Sequence, residues 1–396
     1  MDTWKINLIA VWLGCFFTGM AISQILPFLP LYIEQLGVHN DKALTVWSGV
    51  TFSVTFLISA FVSPLWGAVA DRRGRKLMLL RAALGMSIVI LLQAFIQHPW
   101  QLLILRAVMG LTSGFTPNAM ALIASEAPAT RSGWALSIVS TGQVSGVLLG
   151  PLIGGLLADS VGLRTVFILN ACLLLICFVI TLFMVREPSK ASESKKIYTG
   201  DAQSGIARYS WAIVVLFFTT LLVQMINGSV SPVLTLFVRE LSPDTHNLAF
   251  LSGFITSVAG LSALISAPIL GKTGDRIGAE KTLTASLIFI FFLFVGMYYV
   301  TDISQFTFLR FMTGFADGAM FPAVQSLLLK LSDKNSTGKI FGYNQSFMYL
   351  GNVFGPLFGA GVSAVAGYRW VFMSTAFLAV INIMLLVWVW KKLKIR

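Results

Sequence analysis

The stretch "SPLWGAVADRRG" at residues 63–74 returns as "APILGKTGDRIG" at residues 267–278. Five identical positions, each displaced by 204 residues, link the two stretches: Pro64, Gly67, Asp71, Arg72 and Gly74 match Pro268, Gly271, Asp275, Arg276 and Gly278. Two further pairs follow in the same order, "LRAVMGLTSG" (105–114) with "LRFMTGFADG" (309–318) and "GPLIGG" (150–155) with "GPLFGA" (355–360). Copies spread over nearly the whole chain predict two structurally related halves.

The composition indicates the environment of these halves. Of 396 residues, 56% are hydrophobic and only 11% are charged, whereas soluble globular proteins carry about 25% charged residues. This predicts an all-α membrane protein, whose backbone groups are satisfied within helices. The net charge of +12 is divided among short loops, so it does not indicate nucleic-acid binding. The three cysteines lie in apolar runs and form neither a disulfide framework nor a metal-ligand spacing.

Runs long enough to cross a bilayer, about 20 residues each, predict twelve transmembrane helices. They cover residues 6–36, 45–70, 77–97, 100–125, 133–158, 164–185, 211–239, 248–271, 281–301, 304–329, 339–364 and 370–390. The longest polar break predicts a cytoplasmic linker at 186–209, between an N-terminal six-helix bundle (1–185) and a C-terminal one (210–396).

Basic residues indicate the orientation. Most of the 28 Lys and Arg residues fall at the termini or in the loops after even-numbered spans. On the opposite side are only Lys42, Arg164, Arg239 and Arg369. The positive-inside rule therefore places both termini in the cytoplasm.

The repeated loop resembles the signature of the major facilitator superfamily, over the full length of the chain. "LRAVMG" in span 4, "GVLLGPLIGG" (146–155) in span 5 and "LPFLPLYIEQLG" (26–37) in span 1 further resemble the twelve-span drug:proton antiporters, close to bacterial multidrug-efflux members. The resemblance implies the major facilitator fold, with two pseudo-symmetric six-helix bundles around a central cavity, in the bacterial cytoplasmic membrane and as a monomer.

Three charged residues are expected inside the spans. Arg106 and Arg310 are the only cations predicted well within spans, and the cost of a charge in hydrocarbon should turn them toward the bundle interior. Asp317 lies near the middle of span 10, and its repeat counterpart is Ser113. A buried, unpaired carboxylate that breaks the symmetry is a candidate for proton exchange. The resemblance links Arg106 to proton coupling, and Arg310 is its copy; for all three residues a structural hydrogen-bonding role is the alternative.

Two motifs are expected to support conformational change. The resemblance implies that the cytoplasmic loops act as a latch, formed by Gly67, Asp71, Arg72, Gly74, Arg75, Asp275 and Arg276. Gly67 is expected to allow close helix approach, and Gly74 a tight turn. In span 5, the antiporter-like motif comprises Gly146, Gly150, Pro151, Gly154 and Gly155. Its glycines allow close packing and its proline bends the helix; ordinary small-residue packing is the alternative.

Sparse amides among aromatic residues favour a cavity for lipophilic ligands. The candidates are Gln24, Phe115, Asn118, Gln143, Asn227, Phe321, Gln325 and Tyr343, each of which could instead pack against a neighbouring helix.

The resemblance implies proton-coupled efflux of lipophilic or cationic drugs by alternating access, with the proton gradient as energy source and no cofactor, metal or enzymatic reaction. The sequence contains no Gly–x–x–x–x–Gly–Lys–Ser/Thr phosphate-binding loop, so ATP-driven transport is not indicated. Two alternatives remain: a metabolite or sugar importer of the same fold, as symporter or uniporter, and a non-transporting membrane receptor or assembly protein.

Overall fold

A computed structural model describes residues 3–128, 131–187, 210–243, 247–332 and 337–393, and every regular element in these ranges is a helix. The helices are α1 (Thr3–Ile25), α2 (Leu29–Gln35), α3 (Asp41–Arg73), α4 (Arg75–Gln93), α5 (Pro99–Thr112), α6 (Phe115–Glu126), α7 (Ser132–Val161), α8 (Leu163–Met184), α9 (Ser210–Ser229), α10 (Leu234–Leu241), α11 (Leu248–Ile277), α12 (Ala279–Tyr298), α13 (Ile303–Leu331), α14 (Thr337–Ala366) and α15 (Tyr368–Leu393). The predicted all-helical fold is confirmed, and each predicted span corresponds to one helix or to two consecutive helices.

Three spans are interrupted. Spans 1 and 7 break between α1 and α2 and between α9 and α10, next to Pro27 and Pro232. Proline lacks the amide hydrogen of the helical ladder and so favours a break, although α3, α7, α11, α13 and α14 each continue through a proline. Span 4 breaks between α5 and α6, where Gly114 has φ +113°. This left-handed conformation favours glycine. The breaks in spans 1 and 7 are repeat-related, whereas span 10, the counterpart of span 4, is a single helix.

Eleven segments in the described ranges are long and apolar enough to cross a membrane. The remaining predicted span, span 10, corresponds to α13, which has 29 residues and is about 43 Å long at 1.5 Å per residue. It is long enough to cross, and it carries the charged residues Arg310, Asp317 and Lys330. The predicted proton site therefore lies in a helix with several charged residues.

The described residues divide into two compact units. Unit 1 comprises those of Met1–Ser189 together with Leu234–Ser257, and unit 2 comprises those of Lys190–Val233 together with Val258–Arg396. This division assigns Leu234–Ser257 to unit 1, whereas the sequence repeat assigns it to the C-terminal bundle. The bundle boundaries at 185 and 210 stay a prediction.

Glycines four residues apart bring one pair of helices together in each unit. In unit 1, Gly146 of α7 faces the backbone of Phe16 on α1, and Gly150 faces Ser23. In unit 2, Gly351 of α14 faces the backbone of Leu221 on α9. A side chain at these glycines would overlap main-chain or side-chain atoms of the facing helix, so the repeat is visible in the packing as well as in the sequence.

Candidate functional site

Asp317 lies in the middle of α13 and faces α9 in unit 2. With its amide nitrogen turned toward the carboxylate, Asn227 lies 3.0 Å from Asp317 Oδ2 and 3.2 Å from Oδ1. Both side chains are half-buried. The structure therefore pairs two residues for which different roles are predicted from the sequence: Asp317 as proton site and Asn227 as part of the substrate cavity.

Arg310 lies seven residues before Asp317 on the same helix. Its charge interacts with that of Asp317, but the two side chains form no ion pair among the described residues. Arg310 Nε is buried without a hydrogen-bond partner in the described part of unit 2. The Arg310 guanidinium therefore leaves the carboxylate oxygens of Asp317 to other partners, and a role of either residue in proton exchange stays a prediction.

Close packing fixes the position of α13 around Asp317. Gly314 lies against the Ala259 carbonyl of α11, and Gly318 lies against Ala263 and Ser266. Any side chain at these glycines would separate the two helices. The backbone on both sides of the carboxylate is therefore held by helix contact.

Arg106 belongs to unit 1 and is buried, with only 5% of its surface exposed. Its backbone carbonyl accepts a hydrogen bond from Thr55 Oγ1 at 3.0 Å, while Nε and Nη2 have no hydrogen-bond partner among the described residues. The inward orientation predicted for this residue agrees with its burial. Its role in proton coupling stays a prediction.

A further cation, Arg81, lies near the start of the predicted third span (77–97). Arg81 begins the second turn of α4 and reaches the end of α5, where Nη1 donates to the Leu111 carbonyl at 3.0 Å and Nη2 to the Ser113 carbonyl at 2.8 Å. The guanidinium stacks on the Trp66 ring, 3.8 Å from its centroid, and Trp66 Nε1 also donates to Leu111.

Arg81 and Trp66 therefore cap carbonyls left unbonded where span 4 breaks. Sequence reasoning missed this role because Arg81 was counted with the basic residues of the adjacent loop. A signal was present: Arg81 is followed by sixteen residues of the predicted third span and lies seven residues beyond the end of the loop motif at Gly74.

The loop motif between spans 2 and 3 has a contact that sequence reasoning missed. Glu187, at the end of span 6, accepts hydrogen bonds from the backbone amides of Arg75 at 2.7 Å and Lys76 at 3.0 Å. A carboxylate at the first turn of α4 caps the helix and is favoured by its dipole. The motif is therefore bound to the start of the predicted linker.

The other residues of the predicted latch differ in backbone conformation, packing and exposure. Gly74 has φ +99°, which agrees with the expected tight turn. No described atom lies within 4 Å of where a Cβ at Gly67 would be, so the expected close approach there is wrong; this end of α3 is open, as the exposed Leu65 shows. Arg72 and Arg276 are exposed. The side chains of Asp71 and Asp275 lie outside the described residues.

The antiporter-like motif makes contacts on two faces in unit 1. Gly146, Gly150 and Gly154 pack against α1, while Gly155 lies against Ala249 and Phe250 at the start of α11, and the Pro151 carbonyl lies against Gly253. Below the motif, Asp159 accepts hydrogen bonds from the amides of Ala249 at 3.3 Å and Phe250 at 2.7 Å. The motif thus joins α7 to both α1 and the first turns of α11.

The predicted cavity residues belong to both units and have different environments within each. Gln24, Phe115 and Asn118 are buried in the packed interior of unit 1, where Asn118 donates to the Gly114 carbonyl at 2.8 Å. Gln143 accepts a hydrogen bond from Thr116 at 2.7 Å. In unit 2, three more candidates have different environments: Phe321 and Gln325 are half-buried on α13, and Tyr343 is exposed on α14.

Comparison with known proteins identifies the family of the chain. The Major Facilitator Superfamily family model matches residues 11–237 and 216–394. The "Multidrug resistance protein MdtG" of Escherichia coli strain SMS-3-5 / SECEC is 53% identical over 393 residues, covering 99% of this chain and 96% of that protein. The MdtG protein of E. coli strain K12 / DH10B is similar to the same extent.

Solved structures show the same fold. A bacterial homolog of the human lysosomal transporter Spinster, in an inward-facing and occupied conformation, has a TM-score of 0.80 at 16% identity, over 98% of this chain and 97% of that one. The nucleoside transporter NupG has a TM-score of 0.75 at 14% identity, over 96% and 99% of the two chains. At these identities the likeness concerns the fold alone.

Proposed function

Since the chain belongs to the major facilitator superfamily, a family of transporters and not of enzymes, we propose that it exports lipophilic or cationic drugs in exchange for protons by alternating access. The relatives at 53% identity are multidrug resistance proteins, which supports drug efflux. The proposed setting is the bacterial cytoplasmic membrane, with both termini and the 186–209 linker in the cytoplasm.

One observation supports the proton-exchange part of the proposal: Asp317 is a half-buried carboxylate in the middle of a spanning helix, held by a neutral amide and near a cation with which it forms no ion pair. A carboxylate with a direct Arg or Lys partner would stay ionised. Asp317 has no such partner among the described residues, so it suits a group that gains and loses a proton during each cycle.

The energetics are sufficient for efflux. One pH unit across the membrane is worth about 1.4 kcal/mol per proton. One proton per drug molecule can therefore sustain about a tenfold drug ratio, and for a neutral drug the membrane potential adds about 2.3 kcal/mol per 100 mV. In the described ranges no group of three or more His, Cys, Asp or Glu residues could hold a metal ion, and the proposal requires none.

The test is drug susceptibility of a pump-deficient bacterial host that expresses the chain, run beside Asp317→Asn and an empty vector. We expect the wild-type chain to raise the minimal inhibitory concentration of lipophilic cationic dyes and quinolones, and Asp317→Asn to return it to the vector value at equal protein level in the membrane. Equal resistance with both variants would contradict proton exchange at Asp317. Growth on a sugar or nucleoside without any change in drug susceptibility would favour the importer alternative.

A further inference from the structure

Asn227 contacts Asp317 in a way that suits a partner of the proton site better than a wall of a substrate cavity. It lies on α9, and its amide nitrogen, turned toward α13, is within hydrogen-bond distance of both carboxylate oxygens. A single amide nitrogen shared by the two oxygens of one carboxylate fixes the direction in which that carboxylate points.

The chemistry of the amide suits a group that changes its protonation. An ionised carboxylate only accepts hydrogen bonds, whereas a protonated one also donates through its O–H. The Asn side chain has both kinds of group, an NH₂ donor and a carbonyl acceptor. Rotation of the amide by a half-turn therefore gives Asp317 a hydrogen-bond partner in either protonation state. An apolar side chain at this position, or one too short to reach the carboxyl group, would not.

We propose that Asn227 is the positioning residue of Asp317, that its amide bonds the carboxyl group in both protonation states, and that this bond sets the pH range in which Asp317 exchanges its proton. The inference rests on the proposed proton exchange at Asp317. A bond donated to a charged group is stronger than one to a neutral group, so the amide favours the ionised state on balance.

Few other groups act on this carboxylate. Among the described residues, Arg310 is the charged group whose field reaches Asp317. The α9 helix carries no ionisable residue. Most ionisable residues of α11 and α12 lie between positions 272 and 281, where these helices meet, and Tyr298 ends α12; α14 carries Lys339, Tyr343 and Tyr349, and Lys330 ends α13. The neutral amide is therefore the direct polar partner of the carboxylate in unit 2.

The experiment measures pH-gradient-driven transport of a fluorescent lipophilic cation, ethidium, in liposomes with purified protein, at fixed gradient and varied absolute pH. In Asn227→Leu, which has similar size and no polar atom, we expect the pH midpoint to rise by about one unit, since the bond to the charged state is lost. Asn227→Gln keeps the amide, so its midpoint should stay near the wild-type value. Asn227→Asp places a second carboxylate beside the first, and the two cannot readily ionise together, so its midpoint should also rise.

The matched control is Asn382→Leu in α15. Asn382 is a fully buried amide of the same unit, and neither its nitrogen nor its oxygen has a hydrogen-bond partner among the described residues. The same replacement there should leave the midpoint unchanged. An equal shift in Asn382→Leu, or in Asn227→Gln, would mean that general loosening of the bundle moves the profile and would overturn the inference.

Asp317→Asn, measured in the same liposomes, separates the inference from the proposed function. If Asp317→Asn still transports under the pH gradient, the proposed function fails and the inference falls with it. If Asp317→Asn is inactive but both Asn227→Leu and Asn227→Asp keep the wild-type midpoint, only the inference is overturned. Should Asn227→Leu fail to give monodisperse protein, Asn227→Asp alone decides, by the presence or absence of the upward shift.

Discussion

Spans 4 and 10 occupy repeat-related positions but have different structures. In span 4 the helix ends at Thr112 and restarts at Phe115, and Ser113 lies in the break. In span 10 the helix is continuous from Ile303 to Leu331, and the residue equivalent to Ser113 is Asp317. The same repeated segment therefore has a helix break in unit 1, and a continuous helix with a carboxylate in unit 2.

The neighbours of the two spans differ accordingly. In unit 1 the open carbonyls are capped by Arg81 and Trp66, whose repeat counterparts are Ala285 and Leu270. In unit 2 an unbroken helix needs no such cap, and the polar partner is Asn227, which serves the carboxylate. The polar side chains around these spans therefore bond backbone carbonyls in unit 1 and an ionisable side chain in unit 2.

The largest effect is expected from making span 10 resemble span 4. Asp317→Ser should remove uphill efflux, because the group that exchanges the proton is lost; under one pH unit the drug ratio should fall from about tenfold to about one. The measurement is accumulation of ethidium in inverted membrane vesicles. The reciprocal change, Ser113→Asp on its own, should not raise coupling above wild type, and recovery of uphill efflux by adding Ser113→Asp to Asp317→Ser would refute the asymmetry.

The second effect concerns the cap of span 4. Arg81→Ala should destabilise the protein by about 1–2 kcal/mol, since the Leu111 and Ser113 carbonyls each lose a hydrogen bond from a charged donor. Thermal unfolding of the detergent-purified protein measures this. Trp66→Phe keeps an aromatic ring beside Arg81 and loses one donor, so its loss should be smaller. Equal stability of Arg81→Ala and wild type would contradict the capping role.

The third effect should be the same in both spans. Gly110 and Gly314 are repeat-related, and a methyl group at either would overlap a backbone carbonyl, of Thr55 or Ala259 respectively. Each alanine variant should cost about 1–3 kcal/mol through overpacking. Gly67→Ala is the matched control, since it enters open space in a helix and should be neutral or slightly stabilising. A loss in Gly67→Ala equal to that in the other two would discredit the packing argument.

The smallest effect lies at the start of span 10, in the exposed loop. Asp302 caps α13 by accepting from the Ser304 amide at 2.8 Å, and the backbone hydrogen bond from Ser304 lowers the pKa of Asp302. A lowered carboxyl pKa gives stability that is present above about pH 4 and is lost as the pH falls further. Asp302→Ala should lower the unfolding temperature by about 1–2 °C at neutral pH. This difference should shrink as the pH is lowered below about 4, and a difference that does not change with pH would speak against the charged cap.

Much of the fold could be predicted from sequence patterns that occur in both halves of the chain. Apolar length predicted the spans, and proline favours the breaks in spans 1 and 7, since it lacks the amide hydrogen of the helical ladder. The break at Gly114 was not predicted, because glycine is tolerated within membrane helices and its φ depends on tertiary contacts such as those of Arg81. A site residue such as Asp317 could be predicted because a carboxylate in hydrocarbon is costly. Its pairing with Asn227 could not, since it depends on how α9 is rotated against α13.

If Asp317 carries the exchanged proton, a gradient of drug across the membrane should drive protons in the opposite direction through the protein. To measure this, liposomes containing the purified protein and a trapped pH indicator are given an ethidium gradient with no initial pH difference. The wild-type protein should move protons against the direction of drug flow, and Asp317→Asn should move none, although both bind ethidium. Proton movement by Asp317→Asn at the wild-type rate would contradict this role of Asp317.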